Sequence, residues 1–104
     1  MTSNPQAAQQ HPAALINLVL LDKHLVFKKT GNRNSKLYAD IGDGLCTLPV
    51  KIGARGSRWP EHEIDAILHA RMAGASDDDI RSLVNRLHEL RQEQFKAVMA
   101  AVSA

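Results

Sequence analysis

A glycine between two short amphipathic stretches constrains the fold of this chain more than any other feature of its sequence. Gly31 can adopt the left-handed conformation that ends one helix and turns the chain toward the next. Before it, Asp22 is a suitable N-cap for a helix that runs to about Lys29. After it, a second short helix is expected over about residues 32–41. Two short helices joined by a tight glycine-containing turn are typical of a helix-turn-helix.

The apolar residues of these two stretches predict which sides face the core. In the first helix, Leu25 and Val26 are expected to point inward. In the second helix, Leu37 and Ile41 are four residues apart, so they share one buried face, and Tyr38 flanks them.

The next part of the sequence predicts a β-hairpin. Residues 48–52 alternate in the manner of a strand, residues 53–56 are suited to a turn, and residues 57–59 return as the second arm. The order helix, turn, helix and hairpin predicts a fold that is mainly α-helical, a winged helix-turn-helix with a small β-hairpin wing.

Two further helices are expected after the hairpin. Pro60 suits the first turn of the first of them, where acidic residues favour the helix dipole, and Gly74 ends it. Ser76, followed by three aspartates, is a suitable N-cap for a long last helix. The expected apolar side of the third helix consists of Ile64, Ile67, Leu68 and Met72. That of the last helix consists of Ile80, Leu83, Val84, Leu87, Leu90, Phe95 and Val98.

These elements divide the chain into three parts. Residues 1–14 have little to bury and are expected to form a flexible arm, while residues 15–73 are expected to form the winged helix-turn-helix, a type of domain that binds DNA. The apolar stretch 15–21 enters the core as a short strand or turn. For residues 74–104, three roles stay open: packing on the domain, self-association of residues 76–104, or a surface offered to RNA polymerase. If residues 76–104 serve self-association or RNA polymerase, their removal would leave the domain folded.

Charge is distributed unevenly along the 104 residues. Residues 1–58 carry eight Lys and Arg against three Asp, whereas residues 59–104 carry five against eight Asp and Glu. The first part therefore has a net charge of +5 and the second of −3. A folded segment with surplus positive charge commonly faces phosphate, so the charge favours nucleic acid as the partner of the first part.

Several classes of protein are disfavoured by the composition. Cys46 is the single cysteine, so an internal disulfide is impossible, and the chain suits a reducing cytoplasm. The five histidines lack the spacing that brings two metal ligands together on one helix, so neither a metal nor another cofactor is expected. The longest apolar run, Leu18 to Leu21, is far too short to span a membrane. No nucleophile with a matching base is recognisable, and the chain is not expected to be an enzyme.

A set of short motifs resembles the AlpA family of prophage-associated transcriptional regulators, which are related to phage excisionases and to the DNA-binding part of MerR-type proteins. The resemblance covers about residues 18–70, and its order and spacing are more specific than any one motif. The residues that carry it are Thr30-Gly31, Ser35, Leu37-Tyr38, Gly44-Leu45, Leu48-Pro49-Val50-Lys51-Ile52-Gly53, Arg55, Trp59 and Glu63-Ile64-Asp65. The resemblance implies a winged helix-turn-helix that binds promoter-region duplex DNA and regulates phage or mobile-element genes positively.

The chain departs from the family where bases would be read. The family's recognition helix usually begins Ser-Arg-Ser-Thr, with an Arg directly after the Tyr. Here the corresponding residues are Arg33-Asn34-Ser35-Lys36, and Ala39 follows Tyr38. Cys46-Thr47-Leu48-Pro49 replaces the usual Phe-Pro-x-Pro. The resemblance therefore does not imply a target sequence, and residues 71–104 lie beyond it.

The candidate DNA contacts lie on the two short helices and on the hairpin. Arg33, Asn34 and Lys36 are side chains that can read base edges, since Arg bridges guanine and Asn pairs with adenine. Arg55, at the tip of the hairpin, can contact a phosphate or can alternatively enter a minor groove. The full set of candidates is Lys28, Lys29, Arg33, Asn34, Ser35, Lys36, Tyr38, Lys51, Arg55 and Arg58. Trp59 stands alone before a helix and is expected to pack in the core.

Two functions from different classes remain open on the sequence. The first is a sequence-specific DNA-binding regulator, acting as an activator at promoter-region DNA. The alternative is a protein-interaction module that modifies RNA polymerase, as in antitermination, or a recombinase, with DNA binding secondary.

Overall fold

The computed structural model describes residues 18–103, so the predicted N-terminal arm lies outside the described residues. The elements are β1 (Leu20–Leu21), α1 (Lys23–Thr30), α2 (Asn34–Gly42), β2 (Val50–Ile52), β3 (Gly56–Pro60), α3 (Glu61–Met72) and α4 (Asp77–Ser103). The expectation of a mainly helical chain with a small β-sheet is confirmed. No helix within residues 18–103 is long and apolar enough to cross a membrane.

Local capping fixes the two short helices as the sequence predicts. The Asp22 carboxylate accepts a hydrogen bond from the backbone N–H of Leu25 at 3.0 Å, which satisfies a free donor of the first turn. Gly31 has φ +74°, and its N–H donates to the carbonyl of Phe27 at 2.8 Å. Because few residues other than glycine tolerate this backbone conformation, Gly31 ends α1. The second helix begins slightly later than expected, at Asn34, with Arg33 in the N-cap position.

The sheet has three antiparallel strands in the order β1-β3-β2. In the predicted hairpin, Val50 pairs with Arg58, and Ile52 pairs with Gly56. A Cβ atom on Gly56 would lie 2.3 Å from the carbonyl oxygen of Ile52, so this corner of the hairpin requires glycine. On the other side of β3, Leu21 pairs with Trp59. The end of the apolar stretch before α1, Leu20–Leu21, thus enters the fold as a short strand.

Trp59 occupies the centre of the core, as predicted. Its side chain is fully buried, and its Nε1 donates a hydrogen bond to the carbonyl of Thr47 at 3.2 Å. A buried indole needs such a partner for its N–H, and the Thr47 carbonyl supplies it. The buried apolar residues around it are Leu21, Val26, Leu37, Leu45, Cys46, Ile64, Ile67, Ile80, Val84 and Leu87.

Three residues that were expected on apolar faces are exposed instead. Leu25 is 45% exposed, because Val26 and Phe27 provide the side of α1 that packs on the core. Met72 is the last residue of α3 and is 75% exposed, since the chain turns away there toward Gly74. Phe95 is 60% exposed, because it lies beyond Leu90, the last residue of α4 that packs against the core cluster.

The long helix α4 belongs to the core over its first half. Ser76 caps it, with the hydroxyl accepting from the N–H of Asp79 at 3.1 Å, as predicted. Ile80, Val84 and Leu87 are buried in the same cluster as Trp59. The boundary at residue 74 is therefore a turn between helices and not a break in the core.

Candidate nucleic-acid interface

A continuous basic surface runs from α1 across the start of α2 to the β2–β3 hairpin. It consists of two adjoining clefts that share His24, with volumes of about 310 and 520 Å³. The first is lined by Asp22, Lys23, His24, Tyr38, Arg55, Ser57 and Arg58. The second is lined by His24, Phe27, Lys28, Gly31, Asn32, Arg33 and Asn34. We call these two clefts together the basic groove.

The local structure of three elements brings the cations of the groove together. His24 and Lys28 are four residues apart on α1, so they lie on one face of that helix. The turn at Gly31 places Arg33 and Asn34, at the start of α2, in the same cleft as Lys28. The last strand of the hairpin contributes Arg58 to the neighbouring cleft.

Tyr38 links the groove to the core. Its ring lies edge-on to that of Trp59, with centroids 6.5 Å apart and an interplanar angle of 70°. The side chain is 43% exposed, so the outer part of the ring faces the groove. Tyr38 thus flanks the core, as expected, and also lines the basic groove.

Two of the candidate contacts are engaged by carboxylates. Lys29 Nζ lies 3.1 Å from Glu61 and 2.5 Å from Asp65, both on α3, and these two acids raise the pKa of Lys29. Lys36 Nζ lies 2.9 Å from Asp40, one turn further along α2. These two cations are therefore partly neutralised within the protein itself.

The other candidate cations keep their charge available. None of the ion pairs among residues 18–103 involves Lys28, Arg33, Lys51, Arg55 or Arg58. At the N-cap of α2, the Arg33 side chain forms no capping hydrogen bond. Asn34 and Ser35 are exposed in the first turn of the same helix. On the hairpin, Arg58 donates to the neighbouring carbonyl of Ser57 at 3.0 Å, while Lys51 is exposed on β2.

Two groove residues, Lys23 and His24, were not among the sequence-predicted contacts. Both line the cleft that contains Arg55 and Arg58. The four-residue spacing of His24 and Lys28 was the available signal, because it places both side chains on one face of a helix.

A separate polar cluster connects α4 to the loop before the hairpin. Arg91 donates two hydrogen bonds to the buried carboxylate of Glu63, at 2.8 and 2.7 Å, and a third to the carbonyl of Leu48 at 2.7 Å. His88 Nε2 accepts a hydrogen bond from the N–H of Leu48 at 3.0 Å. Burial lowers the pKa of His88, with a further contribution from the charge of Arg91. We call these four residues the Leu48 clamp.

The clamp could not be recognised from the sequence. Glu63 was predicted only as an acid in the first turn of a helix, and Arg91 lies 28 residues further along the chain. No local pattern links them.

Elsewhere in the described part of the chain, the structure offers little reactive chemistry. No group of three or more His, Cys, Asp or Glu within residues 18–103 could hold a metal ion. Burial raises the pKa of the Cys46 thiol to about 11, so this cysteine is protonated at neutral pH.

Comparison of the chain with protein-family models, with curated proteins and with solved structures gives no match in any of the three.

Proposed function

We propose that this protein is a sequence-specific DNA-binding transcription regulator with a winged helix-turn-helix. In this proposal α2 enters the major groove as the recognition helix, and the β2–β3 hairpin is the wing. The observation that carries the proposal is the basic groove, in which cations from three elements converge on one surface. The one acid that lines the groove, Asp22, is engaged as the cap of α1.

The geometry of α2 supports its role in reading bases. In helix-turn-helix proteins, the N-terminal residues of the recognition helix contact base edges. Here Arg33 and Asn34 are at the start of α2, are exposed and lie in the basic groove. Lys36 is one turn from the N-cap, and it must leave Asp40 before it can contact DNA. Arg33 and Asn34 are therefore the proposed base-reading pair.

The remaining cations are proposed to bind phosphate. Lys28 flanks the start of α2, and Arg55 and Arg58 lie on the hairpin side of the groove. Contacts from these positions to phosphate would fix the register and orientation of the proposed recognition helix on the duplex. Lys51 extends this set along β2.

The regulatory role rests on the resemblance of residues 18–70 to the AlpA family, and on that basis we propose positive regulation at promoter-region DNA. The groove itself supports only the binding of duplex DNA.

Two adjacent lysines provide a matched test of the proposal. Lys28 is exposed in the basic groove, whereas Lys29 is held by Glu61 and Asp65 on α3. We expect Lys28→Ala to weaken binding to a duplex selected from a random library, and Lys29→Ala to leave it nearly unchanged. Affinity is measured by fluorescence anisotropy at several salt concentrations, with thermal melting as the control for folding.

The salt dependence of the wild type gives the second readout. The four proposed phosphate contacts predict a slope of roughly −3.6 for log affinity against log salt, and loss of one contact makes it shallower by about 0.9. Lys28→Ala is expected to show this change in slope. A flat salt response of the wild type, or equal losses for the two lysine variants, would contradict the proposal and favour the protein-interaction alternative.

A further inference from the structure

The second half of α4 presents an apolar ridge beside an apolar groove. The ridge consists of Phe95, Met99 and Val102, which are 60, 48 and 67% exposed. The groove has a volume of about 370 Å³ and lies between this half of the helix and the sheet. Its apolar lining includes Leu18, Leu20, Val50, Pro60, Leu90 and Val98. Ridge and groove are adjacent parts of one surface, because both contain side chains of the same helical segment.

Charge is scarce on this half of the helix. Residues 77–93 contain eight charged side chains, whereas residues 94–103 contain one, Lys96. Lys96 follows Phe95 directly, so it points roughly 100° away from Phe95 around the helix. The ionic groups nearest the ridge are already paired, Arg91 with Glu63 and Arg86 with Glu93.

This charge pattern indicates what can cover the surface. A nucleic acid would need several unpaired cations, and residues 94–103 offer only Lys96, at the edge of the ridge three residues before Met99. A second copy of the same uncharged face meets no like-charge repulsion across the contact. The layout of the surface points the same way, since an exposed ridge next to a groove can meet its own copy around a two-fold axis.

We propose that the protein forms a homodimer in which the ridge of each copy lies in the groove of the other. Each copy contributes Leu18, Leu20, Phe95, Met99 and Val102, all at least 40% exposed in the single chain. A symmetric contact buries ten such side chains, and a few large apolar residues at the centre usually dominate the affinity of an interface. The surface is separate from the basic groove, so the proposal does not depend on DNA binding.

The test compares substitutions on two sides of the same helix. Phe95→Glu and Val102→Glu place a charge on the ridge, while Ala100→Glu places the same charge on an exposed position away from it. Sedimentation equilibrium over a range of protein concentrations gives the dissociation constant of the dimer. Thermal melting monitors folding, which should persist because the substituted side chains are largely exposed.

We expect the wild type and Ala100→Glu to dimerise with similar dissociation constants. Each ridge variant should dimerise at least about 30-fold more weakly, as expected for a residue at the centre of an interface. A wild type that stays monomeric at every concentration would overturn the proposal, and so would a dimer that survives both ridge substitutions.

A further variant that lacks residues 1–17 tests the chain's own N-terminal segment as the occupant. Dimerisation of the wild type and of this variant to the same extent supports the proposal. A monomeric wild type whose shortened form dimerises would assign the groove to residues 1–17 instead.

Discussion

Lys28 and Lys29 are consecutive residues of one helix, and their charges have very different surroundings. Lys28 faces the open basic groove, whereas Lys29 faces two carboxylates of α3. The two side chains have the same chemistry and adjacent positions, so sequence alone gives them the same role. The difference arises from how α1 packs against α3, which involves residues more than thirty positions apart.

Arg33 and Arg55 should affect DNA binding in different ways. Arg33→Ala should relax the preference at one base-pair position, at a cost of about 1–3 kcal/mol on the preferred duplex. Arg55→Ala should weaken binding to all duplexes by a similar factor, because a phosphate contact carries no sequence information. Anisotropy titrations against the selected duplex and its single-base-pair variants separate the two effects. The assigned roles would be reversed if Arg55→Ala changed the sequence preference and Arg33→Ala did not.

His88 should make the stability of the fold depend on pH. Neutral His88 accepts a hydrogen bond from Leu48, and its pKa in the folded protein is below the ordinary value of 6.5. At a pH between the lowered pKa of the folded protein and the value of 6.5 in the unfolded chain, the unfolded chain binds the proton more readily than the folded protein does. The stabilisation by neutral His88 is therefore complete above pH 6.5. It is lost as the pH falls from 6.5 through the lowered pKa. Arg91 and Glu63 are the charged groups that face the same site.

A His88→Gln variant isolates this effect, because a glutamine carbonyl can still accept a hydrogen bond and does not titrate. Denaturant unfolding from pH 7.5 to 5.5 should show a steeper loss of stability for the wild type than for the variant. Parallel curves for the two proteins would show that His88 does not titrate differently on folding.

At the scale of the elements, α4 is attached by two kinds of contact. Its apolar residues Ile80, Val84 and Leu87 lie in the core, and its polar residues His88 and Arg91 bind the backbone of Leu48. His88 and Arg91 thereby engage both backbone polar groups of one residue, Leu48, just before β2. The position of the hairpin is therefore tied to the position of α4 by backbone hydrogen bonds as well as by packing.

Two arginines of α4 provide a matched test of this attachment. Arg91→Ala leaves the Glu63 carboxylate, which is 1% exposed, without its partner. Removing one partner of a buried ion pair typically costs about 3–5 kcal/mol, and the lower end applies here because Arg91 is 24% exposed. Arg86→Ala removes only exposed ion pairs with Glu89 and Glu93, and it should change stability little. Chemical denaturation gives the free energy of unfolding of each variant. Equal losses of stability in the two variants would contradict a structural role for the clamp.

The elements could be predicted from local signals, and their contacts could not. Asp22, Gly31 and Ser76 determine helix ends within a few residues of themselves, so the sequence reveals them directly. The exposure of Leu25 depends instead on which neighbours reach the core, and the ion pair of Lys29 depends on a distant helix. For the same reason, the sequence identified most cations of the basic groove but did not reveal that two further candidates, Lys29 and Lys36, are paired with carboxylates.

At the scale of the whole molecule, the described chain has one core. The cluster around Trp59 takes residues from β1, both short helices, α3 and the first half of α4. The sequence suggested that residues 76–104 are removable, because Gly74 and Ser76 mark a clear break between helices. The buried residues of α4 change this expectation.

Truncation at two positions tests the division of α4. A chain that ends at residue 93 keeps the core residues and the clamp, so it should still unfold cooperatively. A chain that ends at residue 75 loses Ile80, Val84 and Leu87, and each large-to-small change at such sites typically costs about 2–5 kcal/mol. The sum, about 6–15 kcal/mol, is as large as the whole stability of an ordinary domain, about 5–15 kcal/mol, so this chain should not fold. Circular dichroism melting distinguishes them, and a cooperative transition in the shorter chain would show that α4 is dispensable.

The Leu48 clamp should also limit which substitutions this sequence accepts during evolution. The clamp uses the backbone of residue 48 and not its side chain, which is 53% exposed, so that position is free to change. Glu63 and Arg91 constrain each other, because loss of either leaves the other without its partner in the ion pair. In diverging copies of the gene, positions 63 and 91 should be replaced together, most readily by an apolar pair, while position 88 retains a hydrogen-bond acceptor. The contact between positions 63 and 91 would then appear as correlated substitutions at two sites 28 residues apart.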